Sequence, residues 1–157
     1  MIKINIPGDK NLEIKNLVFD FNGTLAKDGI LIDGVKEKIK ELSYKSVDIY
    51  ILTSDTYGTV KEQCKELPIK IEIFDKDNAA EDKKRIVDKL GKENTIVIGN
   101  GRNDVEMFKN SRLAIAVLGK EGCYTKALVY ADIVVNDIID AMDLLLNPNR
   151  LKATLRT

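Results

Sequence analysis

The sequence predicts a three-layer α/β/α sandwich with a central, mostly parallel, Rossmann-like sheet. From residue 16 onwards, short apolar runs rich in β-branched residues alternate with helical stretches, which is the order of elements in a parallel α/β fold. The runs at residues 47–52 and 95–98 are too continuously apolar for strands with one face in water. They are typical of central parallel strands covered by helices on both faces. A chain of 157 residues is long enough for one such domain.

The individual elements follow from local patterns. Alternating apolar residues over 2–6 and 12–14, separated by a Pro-Gly turn, predict an amino-terminal β-hairpin. A turn pair at Asp28-Gly29 predicts a small hairpin or flap over residues 27–34. No insertion is long enough for a second domain or a large cap, so we expect one domain over residues 1–157 with its core at about 16–146. The other predicted elements are strands at 16–20, 47–53, 70–74, 94–99, 113–118 and 132–135, and helices at about 35–44, 57–66, 80–90, 103–110, 123–130 and 137–146.

Composition excludes several classes of function. The 25 basic and 25 acidic residues balance, which argues against nucleic acid as a partner, and the basic tail after residue 149 is interpreted as a solvated terminus. The chain has no histidine and two widely separated cysteines, which excludes the usual zinc sites and histidine-dependent triads. No apolar run approaches the ~20 residues that cross a bilayer, and the amino terminus lacks a signal-peptide core. We therefore expect a cytoplasmic protein without a membrane partner.

Polar residues follow three of the predicted parallel strands, at the points where those strands end. The carboxyl ends of parallel strands lie on one edge of a sheet, so these side chains are expected to converge. Carboxylates, hydroxyls and glycine-containing turns on one edge favour a site for Mg²⁺ and a phosphoryl group. The same residue types also cap helices and make turns, so a purely structural role is the alternative. That alternative is weaker when three strand ends show the same pattern. The residues are Asp20, Asn22 and Thr24; Thr53, Ser54 and Asp55; and Asn100, Asn103 and Asp104.

One lysine is predicted to point inward. Lys83 lies three, four and seven positions before Ile86, Val87 and Leu90, so it belongs to the buried stripe of its helix. Its neighbour Lys84 is predicted to be solvated. An inward lysine either extends its ammonium to solvent or binds an anion, and we favour the anion.

These residues together resemble the four motifs of the haloacid dehalogenase-like superfamily of phosphohydrolases. The motifs are residues 20–25, Thr53, Lys83 and residues 99–104, in that order, and the resemblance covers about residues 16–136. The stretches 52–55, 81–83 and 99–104 look particularly like the phosphorylation domain of P-type ATPases. The chain therefore resembles the small, soluble, capless P-type ATPase-like branch of that superfamily.

The resemblance implies a role for each matching residue. Asp20 would be the nucleophile that forms an aspartyl-phosphate, Thr53 would bind the phosphoryl group, and Lys83 would neutralise its charge. Mg²⁺ would bind to Asp20, the backbone carbonyl of Asn22, and the side chains of Asn100 and Asp104. Further contacts with the phosphate are expected from Gly23, Thr24, Ser54 and Asn103.

Two amides depart from the family pattern. Phosphatases of this superfamily carry an acid–base aspartate at position 22, and an amide cannot exchange a proton near neutral pH. A metal-binding aspartate is usual at position 100, so Asn100 predicts weaker but surviving Mg²⁺ affinity. Asp55, on the neighbouring strand end, is a hypothetical replacement for the missing acid.

Three functions remain open from the sequence. The first is a slow or specialised Mg²⁺-dependent phosphohydrolase acting on a phosphorylated small molecule or macromolecule. Asn22 would slow the hydrolysis of an acyl phosphate least, because that substrate has a good leaving group. The second is an ATP-linked phosphoryl acceptor, and the third a non-catalytic fold that binds a phosphorylated ligand or a protein. With only the flap near the site, we expect an open site or closure by another subunit of a homo-oligomer.

Overall fold

The computed structural model describes residues 1–9 and 11–157. Its centre is a six-stranded parallel sheet with the strand order β10-β9-β8-β3-β6-β7. The strands are β1 (Ile2–Ile4), β2 (Leu12–Ile14), β3 (Asn16–Phe19), β4 (Ala26–Lys27), β5 (Ile30–Leu31), β6 (Asp48–Thr53), β7 (Lys70–Ile73), β8 (Thr95–Gly99), β9 (Leu113–Val117) and β10 (Ile133–Val135). The helices are α1 (Val35–Ser43), α2 (Val60–Cys64), α3 (Ala79–Leu90), α4 (Val105–Lys109), α5 (Thr125–Tyr130), α6 (Ile138–Leu146) and α7 (Pro148–Leu155).

The central strands are buried on both faces because helices cover both. In β3, Leu17 and Phe19 pack into one apolar cluster while Val18 packs into the other. The first cluster receives α1, α2, α6 and α7, and the second receives α3, α4 and α5. Burial of both faces explains the continuous apolar runs in the sequence. The predicted three-layer sandwich is confirmed.

The chain order brings the three predicted strand ends together. β3 lies between β8 and β6, so the residues that follow Phe19, Thr53 and Gly99 emerge side by side at one edge of the sheet. Between β3 and α1 the chain forms only the β4–β5 hairpin, over Ala26–Lys27 and Ile30–Leu31. The site therefore sits at the carboxyl edge of the three central strands.

The ends of the chain differ in how well the sequence predicted them. The amino-terminal hairpin is confirmed as β1 paired with β2, although residue 10 of its turn lies outside the described residues. The interpretation of the carboxyl tail as simply solvated is wrong. Residues from Pro148 onwards form α7, whose Leu151 is buried against the core while Arg150 stays exposed. Proline at the first helical position and one anchoring leucine explain the helix. Within the described residues, no helix is long and apolar enough to cross a bilayer.

Candidate active site

A cavity of about 790 Å³ opens at the carboxyl edge of the sheet. Its lining includes residues from each of the three predicted strand ends, far apart in sequence, so the expected convergence is real. Asp20 is 6% exposed and lines this space. Six of the predicted site residues line the cavity: Asp20, Asn22, Thr53, Ser54, Asn100 and Asn103.

Lys83 links the strand ends beneath the cavity. Its ammonium is fully buried and donates to Asp20 Oδ1 and Asp104 Oδ1, at 2.7 Å each, and to Asn103 Oδ1 at 3.2 Å. The stripe pattern on α3 thus predicted the direction of this side chain correctly. Two carboxylates share one ammonium, and in the absence of a further cation the cluster carries one net negative charge.

The pKa values of this cluster reflect burial and crowding of charge. Burial, and next the negative charge of Asp104, raise the pKa of Asp20 from its usual 3.8 to about 6, although Lys83 opposes the shift. Burial alone would lower the pKa of the Lys83 ammonium, but Asp104 and Asp20 outweigh it and raise that pKa. Lys83 is therefore a permanent cation at physiological pH, whereas the charge on Asp20 is held at a cost.

Asp104 has a supporting position. Beyond Lys83, its Oδ2 accepts the backbone amides of Asn100 at 3.0 Å and Gly101 at 2.8 Å, and its side chain is fully buried. A Cβ on Gly99 would lie 2.4 Å from this oxygen, so the close approach requires a glycine. With both oxygens occupied, Asp104 orients Lys83 and the Gly99–Gly101 turn. This geometry does not favour the predicted direct role of Asp104 in binding metal.

Thr24 and Gly23 lie behind the floor of the cavity and do not line it. The Thr24 hydroxyl, fully buried, is 3.2 Å from both Asp20 Oδ2 and Asn100 Oδ1 and shares its single proton between them. The Gly23 amide donates to the Ala26 carbonyl, and a Cβ on Gly23 would lie 2.3 Å from Asn100 Nδ2. The geometry therefore favours positioning roles for both residues over the predicted phosphate contacts.

The side chain of Asn100 joins two loops. Its Nδ2 donates to the Gly122 carbonyl at 2.9 Å, while its own backbone carbonyl accepts the Tyr124 amide at 2.8 Å. A carboxylate at this position could not donate to Gly122. The amide thus holds the 119–124 loop, which carries one wall of the cavity, while its Oδ1 keeps a free lone pair.

Comparison with known proteins agrees with this geometry. A haloacid dehalogenase-like hydrolase family model matches residues 25–112. The chain belongs to this family. A soluble P-type ATPase-like phosphatase of Methanocaldococcus jannaschii is 31% identical over 123 residues, which cover 77% of this chain and 45% of that protein. An uncharacterized protein of the same organism is 54% identical over 78 residues, which cover 47% of this chain and 84% of that protein.

Solved structures share the fold at lower identity. One is 3-deoxy-D-manno-octulosonate 8-phosphate phosphatase from Moraxella catarrhalis, in complex with a magnesium ion, a phosphate ion and a KDO molecule. It gives a TM-score of 0.68 at 20% identity, covering 91% of this chain and 94% of that one. A substrate-bound phosphoserine phosphatase gives a TM-score of 0.68 at 17% identity. The match covers 85% of this chain and 99% of that one. At these identities the likeness establishes the Rossmann-like α/β fold of the family.

The cavity floor offers a set of oxygen donors suited to the Mg²⁺ that the family implies. Asn22 Oδ1 is buried without a hydrogen-bond partner, and Asp20 and Asn100 line the same space. No group of three or more histidine, cysteine or acidic side chains with metal-binding geometry occurs among residues 1–9 and 11–157. One carboxylate with neutral oxygens still fits Mg²⁺, which keeps several waters and completes its shell with substrate phosphate.

The hypothesis that Asp55 replaces the missing acid is wrong. Its Oδ1 accepts the backbone amides of Thr59 at 3.0 Å and Val60 at 3.1 Å, so the carboxylate caps the start of α2. Asp55 does not line the cavity, and its own amide donates to Thr53 Oγ1 at 2.9 Å. The Thr53 hydroxyl therefore keeps its proton for a ligand.

The flap also has a different place from the one expected. Thr59 Oγ1 donates to the Gly29 carbonyl at 2.6 Å, and the Leu31 amide donates to Gln63 Oε1 at 3.0 Å. The β4–β5 hairpin is thus tied to α2 and lines a second cavity instead of covering Asp20. The floor residues were found from strand ends, but the wall residues were missed. Arg102, Tyr124 and Lys126 also line the first cavity, and no local pattern distinguishes them from ordinary surface residues.

Proposed function

We propose that this protein is a Mg²⁺-dependent phosphohydrolase that works through an aspartyl-phosphate on Asp20. The single observation that supports this most is the Asp20 carboxylate at the cavity floor, hydrogen-bonded at 2.7 Å to a fully buried lysine. The match to the hydrolase family and to a P-type ATPase-like phosphatase also supports phosphoryl chemistry. Phosphoryl transfer needs an oxygen nucleophile and fixed positive charge, and this floor supplies both.

The proposed reaction has two displacements at phosphorus. An Asp20 oxygen forms a P–O bond while the bond to the leaving-group oxygen breaks and its electron pair departs with that oxygen. Water then attacks phosphorus, releases inorganic phosphate, loses a proton to solvent and restores the carboxylate. The Thr53 hydroxyl donates to a phosphoryl oxygen, and Lys83 balances the charge of Asp20 throughout. Mg²⁺ held by Asp20, the Asn22 carbonyl and Asn100 Oδ1 would supply further positive charge at the phosphoryl oxygens.

Asn22 decides which substrates suit this site. Without an acid at position 22, a poor leaving group must depart as an alkoxide, whereas a carboxylate leaves readily without a proton. The proposed preference is therefore for acyl phosphates over simple monoesters. The second displacement also lacks its general base, so the phosphoenzyme should be long-lived.

The test is a panel of acetyl phosphate, simple monoesters and ATP, assayed with Mg²⁺ and with EDTA. We expect phosphate release from acetyl phosphate that requires Mg²⁺ and exceeds release from monoesters. No Mg²⁺-dependent release from any member would contradict the proposal. Phosphorylation by ATP with acetyl phosphate left intact would support an ATP-linked acceptor instead.

Replacing Asn22 with Asp is expected to speed monoester hydrolysis by about 10²-fold, because general acid catalysis typically contributes 10²–10⁴-fold. Asn22 lines the cavity, and a carboxyl group has nearly the same size and shape as the amide that it replaces. For acetyl phosphate, kcat/KM should stay nearly unchanged while kcat rises. Its leaving group needs no acid, so Asp at position 22 would accelerate only the second displacement, as a general base. An equal rise in kcat/KM for both substrate classes would contradict an acid role at position 22.

A further inference from the structure

The wall of the cavity carries cations that the proposed reaction does not use. Arg102 and Lys126 line the same cavity as Asp20, and both are exposed. No ion pair involving either side chain occurs among the described residues. By contrast, Lys109 on the same wall is paired with Glu106 at 2.7 Å. Arg102 and Lys126 are therefore unpaired cations on this wall, and a third unpaired cation, Lys76, lines the cavity in the loop before α3, next to Asp77.

The two cations come from elements that are held together. Arg102 lies in the 3₁₀ turn Arg102–Asp104, and Lys126 lies in α5, which packs against that turn. The hydrogen bond from the Tyr124 amide to the Asn100 carbonyl, at 2.8 Å, joins the start of α5 to the floor. The positions of both backbones relative to Asp20 are thus fixed by the site itself.

Charge at this wall is local and not a property of the whole chain. The protein has no net charge, yet the cavity lining contains four basic residues against three acidic ones, which are Asp20, Asp77 and Glu106. A phosphoryl group fills only a small part of about 790 Å³, so most of the space is available to the leaving group. Arg102 and Lys126 line this same space.

We infer that the substrate carries a second anionic group, a carboxylate or a second phosphate, on its leaving group, and that Arg102 and Lys126 bind it. This inference rests on the proposed function for the position of the first phosphate. An arginine fork matches carboxylate and phosphate oxygens in pairs, and lysine adds a point charge. The substrate class is therefore a small metabolite with either one phosphate and one carboxylate or two phosphates.

The test compares substrates that differ only in the second charge. The pairs are 2-phosphoglycolate with 2-hydroxyethyl phosphate, and 1,3-propanediol bisphosphate with its monophosphate, the two pairs separating carboxylate from phosphate. We expect kcat/KM to be roughly tenfold higher for the anionic member, since a hydrogen bond to a charged group contributes about 1.5 kcal/mol or more. In Arg102→Gln and Lys126→Gln, that ratio should fall about tenfold through KM. Lys120→Gln, on the second cavity, is the matched control and should keep the ratio.

Binding separates this inference from the proposed function. Calorimetric titration of Asp20→Asn with the same four compounds needs no turnover and should show the same preference. Equal affinity for the two members of both pairs would overturn the inference even if acetyl phosphate is hydrolysed. If the anionic members bind preferentially but the wild-type protein turns over none of the substrates, the inferred ligand class stands and the proposed phosphohydrolase activity is overturned.

Discussion

The Asp20→Asn variant is expected to lose turnover of every substrate while gaining stability. An amide cannot form the acyl phosphate, and removing a covalent nucleophile typically lowers kcat by at least about 10⁴-fold. The same change removes one of two carboxylates that share the Lys83 ammonium. Its Oδ1 can still accept from Lys83, so the packing is kept.

The gain in stability follows from the sign of the pKa shift. Asp20 has a pKa of about 6 in the folded protein against 3.8 ordinarily, mainly because of burial and then because of Asp104. A raised carboxyl pKa stabilises the fold at low pH, and that contribution is lost as pH rises through the folded value. At neutral pH without metal, the charged Asp20 therefore costs on the order of 1–3 kcal/mol, which the amide removes.

Denaturant unfolding in EDTA measures this gain, and phosphate release with Mg²⁺ measures the loss of turnover. Asp55→Asn is the matched control, because it makes the same chemical change at a helix cap outside the cavity and leaves a good capping residue. Its turnover and stability should resemble wild type. Residual turnover in Asp20→Asn near the wild-type rate would refute the nucleophile assignment.

The opposite change in stability is expected for Lys83→Met. The replacement is similar in size and apolar, but it leaves Asp20 and Asp104 buried without their common cation. Removing one partner of a buried ion pair costs about 3–5 kcal/mol, because the remaining charge is uncompensated. We expect that loss in the free energy of unfolding without metal, together with loss of turnover.

Two further variants isolate the charge term for Lys83. Lys84→Met, at the next and less buried position of α3, controls for the lost lysine and should change stability by less than about 0.5 kcal/mol. The double variant Asp20→Asn with Lys83→Met should be less destabilised than the sum of the two single-variant changes in the free energy of unfolding. The effects are not additive because the two residues are in contact. Equal stability of the two methionine variants would contradict the charge balance of the site.

The fold could be predicted because its signals are local. The continuous apolar runs of β6 and β8 report burial on both faces, and the helices between them report a parallel sheet. Helix α7 was missed because only Leu151 is fully buried and Leu155 is partly buried against the core, which is too weak a periodicity to recognise. Its basic residues were the more visible feature of the sequence.

The site was predictable to the extent that topology alone brings residues together. Strand ends and the α3 stripe located Asp20, Thr53 and Lys83, because parallel strands end on one edge. The direction of short side chains was not predictable. Thr24 and Asp104 occur in the expected turns, yet their contacts turn inward to Asp20, Lys83 and backbone amides.

The side chains of the two unusual amides, Asn22 and Asn100, differ in their hydrogen bonding. Asn22 lines the cavity, and its buried Oδ1 has no hydrogen-bond partner. Asn100 donates to Gly122 and so holds the loop that leads into α5 and its Lys126. We propose that the first amide alters the reaction, whereas the second holds the loop that carries one wall of the cavity.

Trapping the phosphoenzyme tests the central claim most directly. Wild-type protein is mixed with Mg²⁺ and acetyl phosphate labelled at phosphorus, quenched in acid, digested and mapped by mass. We predict label on the peptide that contains Asp20, removable by hydroxylamine and absent from Asp20→Asn. Consumption of acetyl phosphate with no label on the protein, or with label on a different peptide, would contradict it.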